Sequence, residues 1–395
     1  MDDQDRQAAP GAHARFHGNA HVVALALGIP VLISMLALAI APGVLEMARE
    51  FGDVTAQLVL TLPAFLMIAG AAVAGYLSER WGRRAVIAAC LIIYVIAGLA
   101  GGAAPSLTLL VLARIVSGFV GGVLLTSVYA AIGEYFEGPR RESILGLMST
   151  AASIASLALL LIMGLVVERF GWRAPFLIYG IALLLLPSTL LGLHRGRSAS
   201  GASLSWAPVL ARWPYYLLLT AYTIGMYMMV IQGPFLLAAK GIDAPSEIGR
   251  YIGLSSLVGA FGGVLYGFAR RWLGFRQMFL FISLAIGVGL PIAAWAPGGG
   301  WIVLSMVIVG LGIGIIEPTV ASELLLLTPE PLHDRAMGVN VAAMFLGQFV
   351  NPLVIASVRE GHGILFAFTA TGAAYLLGAL LFLLSLARRR DQPGG

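Results

Sequence analysis

Charged side chains are scarce in this sequence. Only 11% of its 395 residues are Asp, Glu, Lys or Arg, whereas 59% are hydrophobic. Because soluble proteins carry about a quarter charged residues, this composition excludes an ordinary soluble fold. Apolar runs of about 20 residues recur along the chain, and each could cross about 30 Å of hydrocarbon as a helix. The runs lack the two-residue alternation of a barrel strand, so we predict an all-α integral membrane protein.

Cysteine and clustered histidine are also lacking. The single cysteine, Cys90, lies in an apolar run, which excludes an intrachain disulfide and a Cys-rich metal site. The six histidines lie at the ends of apolar runs or in loops (His13, His17, His21, His194, His333 and His362). A membrane-embedded enzyme would need such groups clustered near one face, and no nucleotide-binding loop is present. We therefore predict no enzyme, no metal and no cofactor.

The apolar runs predict twelve membrane spans. They lie at roughly 21–45, 55–77, 85–103, 107–133, 143–167, 174–193, 214–239, 247–269, 277–296, 301–327, 337–357 and 363–386. Seventeen arginines then fall in segments on the side of the termini, against six basic residues on the other side. The positive-inside rule places both termini in the cytoplasm, so the net charge of +5 reports topology and does not indicate nucleic-acid binding.

The two halves of the sequence form an internal repeat. Glycines and prolines recur at an offset of 192 positions, as in Pro42 and Pro234, Gly118 and Gly310, and Gly122 and Gly314. These residue types mark bends and close contacts, so their recurrence predicts two pseudo-symmetric six-helix bundles. We predict a cytoplasmic tail at 1–20, bundles at 21–193 and 214–386, a cytoplasmic linker at 194–213 and a second tail at 387–395. The first residues lack the pattern of a cleavable signal peptide.

A charged loop joins spans 2 and 3, and it reads Gly75-Tyr76-Leu77-Ser78-Glu79-Arg80-Trp81-Gly82-Arg83-Arg84. It resembles the signature loop of the major facilitator superfamily, although that family usually has aspartate where Glu79 stands. Arg114-x-x-x-Gly118-x-x-x-Gly122 is similar to the family's helix-4 motif, which is associated with proton coupling in its exporters. The segments 171–175 and 347–349 also resemble bacterial efflux members. The resemblance covers residues 20 to 386.

The resemblance implies two bundles with a central cavity between them and a charge latch on the cytoplasmic side. The latch residues are Gly75, Glu79, Arg80, Gly82, Arg83, Arg84 and Glu134. Glu79 would face the amino end of span 11, where the helix dipole favours a negative group, and Arg83 would pair with Glu134. The latch would close in the outward-open state. Span 5 departs from the drug–proton antiporters, because 156–164 contains no proline.

Three charged residues, two within the spans and one at the outer end of span 1, are candidates for proton coupling or for lining the substrate cavity. Arg114 lies about seven residues into span 4 and either faces the bundle interior or snorkels outward. Glu317 lies about 24 Å from the outer end of span 10, where a carboxylate is either protonated or paired. Such residues carry protons in many transporters. Glu46, at the end of span 1, has either a binding role or an interfacial position near Arg49.

Polar residues in spans 7 and 11 are the remaining candidates for the cavity. Gln232 and Tyr222 lie in span 7, and Gln232 is close to the kink expected at Pro234. Its amide serves equally well as a substrate contact or as a hydrogen bond between helices. Gln348 and Asn351 lie near one stripe of span 11 together with Asn340, so this stripe could face a cavity.

These features predict a monomeric secondary transporter of the inner membrane that moves a small organic solute by alternating access. We predict proton-coupled efflux, and proton-coupled uptake is the main alternative. The expected partners are the organic substrate, protons and membrane lipid. A membrane-embedded enzyme and a receptor that has lost transport are the rival classes. The first lacks catalytic clusters, and the second does not explain the latch residues.

Overall fold

The computed structural model describes residues 12–136, 138–193, 205–329 and 332–390. Within these residues the chain forms helices and turns but no strands, and twelve helical spans are long and apolar enough to cross a membrane. Spans 1 to 6 are Ala20–Phe51, Asp53–Trp81, Arg83–Gly102, Leu107–Tyr135, Ser143–Phe170 and Ala174–Gly192. Spans 7 to 12 are Trp213–Ala239, Pro245–Ala269, Phe275–Trp295, Gly299–Leu327, Arg335–His362 and Ile364–Leu386.

Three spans are not continuous α-helices. Span 1 consists of a helix at Ala12–Leu38, a 3₁₀ turn at Ala41–Gly43 and a helix at Val44–Phe51. Span 6 begins as a 3₁₀ helix at Ala174–Leu185 and continues as an α-helix at Leu186–Gly192. Span 7 runs from Trp213–Met226 through a π-helical turn at Met228–Gln232 into Gly233–Ala239. Each break has a proline nearby, and proline has no N–H to donate to the preceding turn of a regular helix. A regular helix would therefore lack a hydrogen bond at these positions in any case, and the break costs little more.

Three of the remaining helices extend beyond their apolar segments. Span 5 belongs to the helix Gly138–Phe170, span 11 to His333–His362 and span 12 to Ile364–Arg390. A short helix at Ala207–Leu210 precedes span 7. The predicted linker lies partly outside the described residues, at 194–204, as does the start of the first tail, at 1–11, and the end of the second, at 391–395. The domain boundaries therefore stay a prediction.

The repeat predicted from glycines appears in the packing of the two halves. A Cβ on Gly122 would lie 2.1 Å from the Met67 carbonyl oxygen, so only glycine lets spans 4 and 2 approach this closely. In the second half, a Cβ on Gly314 would lie 1.9 Å from the Gly259 carbonyl oxygen of span 8. Met67 and Gly259 are 192 positions apart, as are Gly122 and Gly314. The same contact is thus built twice, as expected for two pseudo-symmetric bundles.

The two bundles meet along two seams, spans 2 and 11 on one side and spans 5 and 8 on the other. Twelve spans are an even number of crossings, so both ends of the described chain lie at the same membrane face. We call this face the terminal face and the other membrane face the opposite face. In the second seam, span 8 packs on span 5 near the opposite face. A Cβ on Gly249 would lie 2.2 Å from the Leu160 carbonyl oxygen, and the Ser246 amide donates to Glu168 at 3.2 Å.

The seams do not close at the terminal face. Gly75, Gly146, Gly267 and Gly338 lie toward the terminal-face ends of spans 2, 5, 8 and 11, and a Cβ on any of them would meet nothing within 4 Å. Close backbone contacts between spans 5 and 8, such as those at Gly164 and Gly249, lie in their opposite-face halves. The bundles therefore diverge toward the terminal face, and the space between them opens there.

Candidate functional site

A carboxylate stands in the space between the bundles. Glu317 lies in the middle part of span 10, ten residues from its terminal-face end at Leu327, and its side chain is exposed. The phenols of Tyr129 in span 4 and Tyr227 in span 7 both interact electrostatically with it. Since these two residues belong to different bundles, Glu317 faces the space that separates them. It does not face the lipid.

Glu317 has no partner for its charge. Within the described part of the chain it forms no hydrogen bond and no ion pair. Among the charged residues of the twelve spans, only Glu317 and Arg114 lie more than six residues from either end of their span. Because Arg114 is 1% exposed, Glu317 supplies the charge in the deep part of the cavity as the described residues form it. A carboxylate in such a place can bind a proton, a cation or a hydrogen-bond donor.

Tyr129 and Tyr227 give this cavity two amphipathic walls. Tyr129 is 44% exposed although it lies six residues inside span 4, and Tyr227 is half-buried immediately before the π-helical turn of span 7. Turns of this kind occur frequently at functional sites, because they displace side chains from regular helical register. Our sequence analysis did not single out either tyrosine as a candidate. A lone phenol among small residues, as at Tyr129, is the signal that could have indicated it.

A cluster of three amides closes the cavity toward the opposite face. Gln57 of span 2 and Gln232 of span 7 form a reciprocal pair, with N–O distances of 3.2 and 3.1 Å. Gln232 also donates to Asn351 Oδ1 at 3.2 Å, and Asn351 donates to the Ile224 carbonyl oxygen at 2.7 Å. All three amides are fully buried. The predicted candidates Gln232 and Asn351 thus hydrogen-bond between helices, with Gln57 as a partner that the sequence analysis missed.

Ion pairs between the bundles lie beyond this cluster, at the opposite face. Asp53 at the start of span 2 pairs with Arg359 at the end of span 11, at 3.4 Å. Arg49 and Asp243 approach to 3.9 Å, but both are largely exposed, so this pair contributes little. Closer to the cavity, Phe65 stacks on Phe349 with 4.7 Å between ring centroids. The amides, rings and ion pairs together form one closed gate on this side.

Arg114 lies inside the first bundle and does not reach the cavity. Its guanidinium donates to the Val59 carbonyl oxygen at 3.0 Å, to the Tyr179 hydroxyl at 2.7 Å and to the Leu36 carbonyl oxygen. Arg114 thus faces the bundle interior, one of the two positions expected for it, and its donors are used by spans 1, 2 and 6. The predicted alternative of snorkelling to the interface is not observed.

The backbone explains why an arginine is accommodated there. Pro63 has no N–H, so the carbonyl of Val59, four residues earlier in span 2, lacks its helical partner. Leu36 lies in the last turn of the helix Ala12–Leu38, where carbonyl groups also lack intrahelical partners. Arg114 donates to both, and the guanidinium lies 6.0 Å from the Phe176 ring centre. The prolines were a sequence signal for this arrangement that we did not use.

The other candidates of the second bundle lie away from the cavity. Tyr222 is buried, hydrogen-bonds to Ser283 and packs edge-on against Phe279 and Tyr375 inside the second bundle. Gln348 is 5% exposed in span 11, next to Gly347, which packs on span 7. Both side chains are buried in this arrangement.

Glu46 holds a turn together near the opposite face. Its carboxylate accepts a hydrogen bond from the Trp172 amide at 2.9 Å, directly after Gly171, whose φ is +81°. Glycine adopts this left-handed conformation at little cost, and the carboxylate stabilises the turn that follows. This geometry gives Glu46 an interfacial structural position, and it does not face the cavity.

The loop between spans 2 and 3 has part of the predicted latch geometry. Gly82, with φ of +81°, separates the helices Asp53–Trp81 and Arg83–Gly102, and Arg83 forms the predicted ion pair with Glu134. Arg80 donates to the Tyr76 hydroxyl at 3.1 Å. Glu79 is half-buried and, among the described residues, has no hydrogen bond or ion pair with span 11. The contact between the halves is thus not formed while the seams are open at this face.

Comparison with known proteins decides the family. Residues 27–352 match the family model described as Major Facilitator Superfamily, which is most of the chain. The chain belongs to this superfamily. A Major Facilitator Superfamily protein is a transporter, so the cavity between the bundles is where its solute is expected to bind, and Glu317 lies in it.

Two relatives match across most of their length. The chain is 26% identical to the tetracycline resistance protein, class C, of Escherichia coli, over 91% of this chain and 92% of the relative. It is 27% identical to an MFS-type efflux pump of Mycolicibacterium smegmatis, over 80% of each. A crystal structure of a D-xylose–proton symporter superimposes with a TM-score of 0.74 at 17% identity, covering 92% of this chain and 97% of the other. This superposition shows the superfamily fold and nothing about the solute.

Proposed function

We propose that this chain is a proton-coupled exporter of a small organic solute, which works by alternating access in the inner membrane with both termini in the cytoplasm. One observation carries the proposal: a single unpaired carboxylate, Glu317, stands in the cavity between the bundles. A proton and a solute that compete for one carboxylate are coupled, because binding of either displaces the other. The efflux relatives favour export over uptake.

The arginine distribution supports the orientation. The terminal face carries most of the basic residues, as the cytoplasmic face of membrane proteins does. The cavity opens toward this face while the opposite gate is closed, so the arrangement is the inward-facing member of the cycle. Cytoplasmic solute would enter between spans 4, 7 and 10 and meet Glu317 with the two tyrosines.

The surroundings of Glu317 favour one kind of solute. A carboxylate with no basic neighbour at its depth attracts positive charge and hydrogen-bond donors and repels anions. The phenol rings of Tyr129 and Tyr227 add stacking surfaces and cation–π attraction. We expect an amphipathic solute that carries an amine or several donors.

Transport into vesicles tests the coupling. Purified protein in liposomes loaded with a pH-sensitive dye is given a proton gradient, and tetracycline and ethidium serve as first solutes. Glu317→Gln should abolish gradient-driven transport and solute-induced proton movement, whereas Glu317→Asp should retain part of both. Glu247→Gln, which removes an exposed carboxylate from the start of span 8, is the matched control. Solute flux in the wild type that is independent of the gradient contradicts the coupling.

Accumulation in cells tests the direction. Cells that express the protein should hold less solute than cells that express Glu317→Gln, and the difference should vanish when the proton gradient is collapsed. Higher solute accumulation in cells that express the wild type would contradict export and support the alternative, proton-coupled uptake.

A further inference from the structure

A second cavity lies at the terminal-face end of the second bundle, away from Glu317. Its volume is about 670 Å³, which is within the range of about 300–1,000 Å³ of small-molecule sites. It lies between the ends of spans 7, 9, 10 and 12 and beneath the loop between spans 8 and 9. No part of the transport cycle proposed above uses it.

The cavity has an apolar part and a basic part. Leu218, Phe275, Leu326, Phe382 and Leu386 contribute the apolar walls. Tyr215 and Phe275 meet edge-on, with ring centroids 5.5 Å apart, at the start of spans 7 and 9. Arg270 and Arg276 contribute the basic part, where the loop reaches the membrane surface. Such a division suits a ligand with a hydrocarbon part and an anionic head.

The two arginines differ in how their charge is compensated. Arg270 pairs with Glu323 at 3.4 Å and donates to the Leu273 carbonyl oxygen at 3.3 Å. Arg276 donates to the Ser385 carbonyl oxygen at 3.1 Å and forms no ion pair within the described residues. Since Glu323 is the one acid among the lining residues, the cavity keeps a net positive charge.

The surroundings add to the positive charge and mark the depth of the cavity. Trp272 and Trp213 are 77% and 63% exposed next to it, and tryptophan is enriched where acyl chains meet headgroups. The exposed Arg271 follows Arg270 in the loop, and the sequence continues after Leu386 into Ala387-Arg388-Arg389-Arg390. Clusters of four to eight basic residues at the cytoplasmic end of a span typically attract anionic lipid.

We propose that this cavity binds the headgroup of an anionic phospholipid from the leaflet at the terminal face. The phosphate contacts Arg276 and Arg270, and the start of an acyl chain lies along Phe382 and Leu386. The lipid then connects spans 9 and 12 to the loop between spans 8 and 9. This loop is the counterpart, 192 positions later, of the latch loop between spans 2 and 3.

Lipid binding to the purified full-length protein tests the site. Delipidated protein in detergent is titrated with phosphatidylglycerol, with phosphatidylcholine and with inorganic phosphate, and bound lipid is counted by native mass spectrometry. Thermal unfolding is followed in parallel. We expect saturable binding and stabilisation with phosphatidylglycerol only. Equal effects of phosphatidylcholine would contradict a charge-selective site, and an equal effect of phosphate would identify a free-anion site and overturn the lipid assignment.

Three variants separate a defined site from general surface attraction. Arg276→Gln should weaken phosphatidylglycerol binding about tenfold, because a charge-assisted hydrogen bond is lost. Arg271→Gln removes the same charge from the adjoining loop, outside the cavity, and its smaller effect should disappear at high salt, where surface charges are screened. Leu218→Trp fills the cavity and keeps every charge, and it should abolish binding. Equal effects of the two arginine variants, or full binding by a folded Leu218→Trp protein, would overturn the proposal.

Discussion

The amide cluster between Gln57 and Gln232 predicts how a single substitution shifts the balance between the two gates. Gln232→Leu removes the two hydrogen bonds that join the bundles and the one to Asn351, and it leaves the Gln57 amide buried without a partner. Leaving a buried polar group unsatisfied costs about 1–3 kcal/mol. This cost falls on the arrangement closed at the opposite face, because Gln57 can meet water once that face opens. The population open at the opposite face should therefore rise about 5- to 150-fold relative to the closed one.

A double-mutant cycle makes this prediction sharper. Gln57→Leu with Gln232→Leu replaces both amides of the pair by apolar groups of similar size, so the double variant should be less perturbed than Gln232→Leu alone. Coupling energies between contacting residues are typically about 0.5–3 kcal/mol. Thr223→Val is the control, since the Thr223 hydroxyl is buried in the same span but donates within it, to the Leu219 carbonyl oxygen at 2.8 Å.

Distances across the seam between spans 5 and 8 measure the outcome. Spin labels on cysteines introduced at the exposed positions Arg169 and Arg250 report opening of the opposite face. The native Cys90 is buried and should not react. The reasoning is refuted if Gln232→Leu leaves the distance distribution unchanged, or if the effects of the two single substitutions simply add.

Three further results are expected. Arg114→Lys should lower the unfolding temperature in detergent far more than Glu134→Gln, because one ammonium group cannot reach acceptors in three spans. Breaking the half-exposed ion pair between Glu134 and Arg83 costs less than about 1 kcal/mol. Similar losses in unfolding temperature for the two variants would contradict this reasoning. Gly122→Ala and Gly314→Ala should both destabilise the protein, since each Cβ would meet a carbonyl oxygen, and Gly146→Ala should not; thermal unfolding checks all three. Glu79→Ala should slow transport without weakening solute binding, if the latch forms in the outward-open state; unaltered transport speaks against the latch.

Much of the fold was predictable because membrane insertion constrains the sequence strongly. Every predicted span corresponds to a helical span of the structure, since an apolar run of sufficient length has no other stable state in lipid. Gly122 and Gly314 predicted close contacts between helices. A glycine permits such a contact whichever neighbouring helix packs against it, so the prediction did not require knowing the neighbour. The π-helical turn at Met228–Gln232 was not predictable, because its residues have no composition that distinguishes them from a regular helix.

The site was predictable only in part. Glu317 stood out because a charge at that depth is rare, and depth can be read from the distance to the end of the span. Arg114 stood out for the same reason, yet its partners are backbone carbonyls and a phenol, which hydropathy does not mark. Which groups become hydrogen-bond partners of a buried side chain depends on which helix faces meet in the folded structure. Gln57 was missed because one amide in an apolar run has no sequence partner until spans 2 and 7 are brought together.

The position of Arg114 has a consequence for how the molecule moves. One guanidinium holds backbone oxygens of spans 1 and 2 and the phenol of span 6. Sliding of these helices past one another would leave a buried carbonyl group without its donor, so Arg114 ties spans 1, 2, 4 and 6 into one stiff unit. A change at the cavity is then transmitted to the edge of this unit, where the amides and ion pairs join the two bundles.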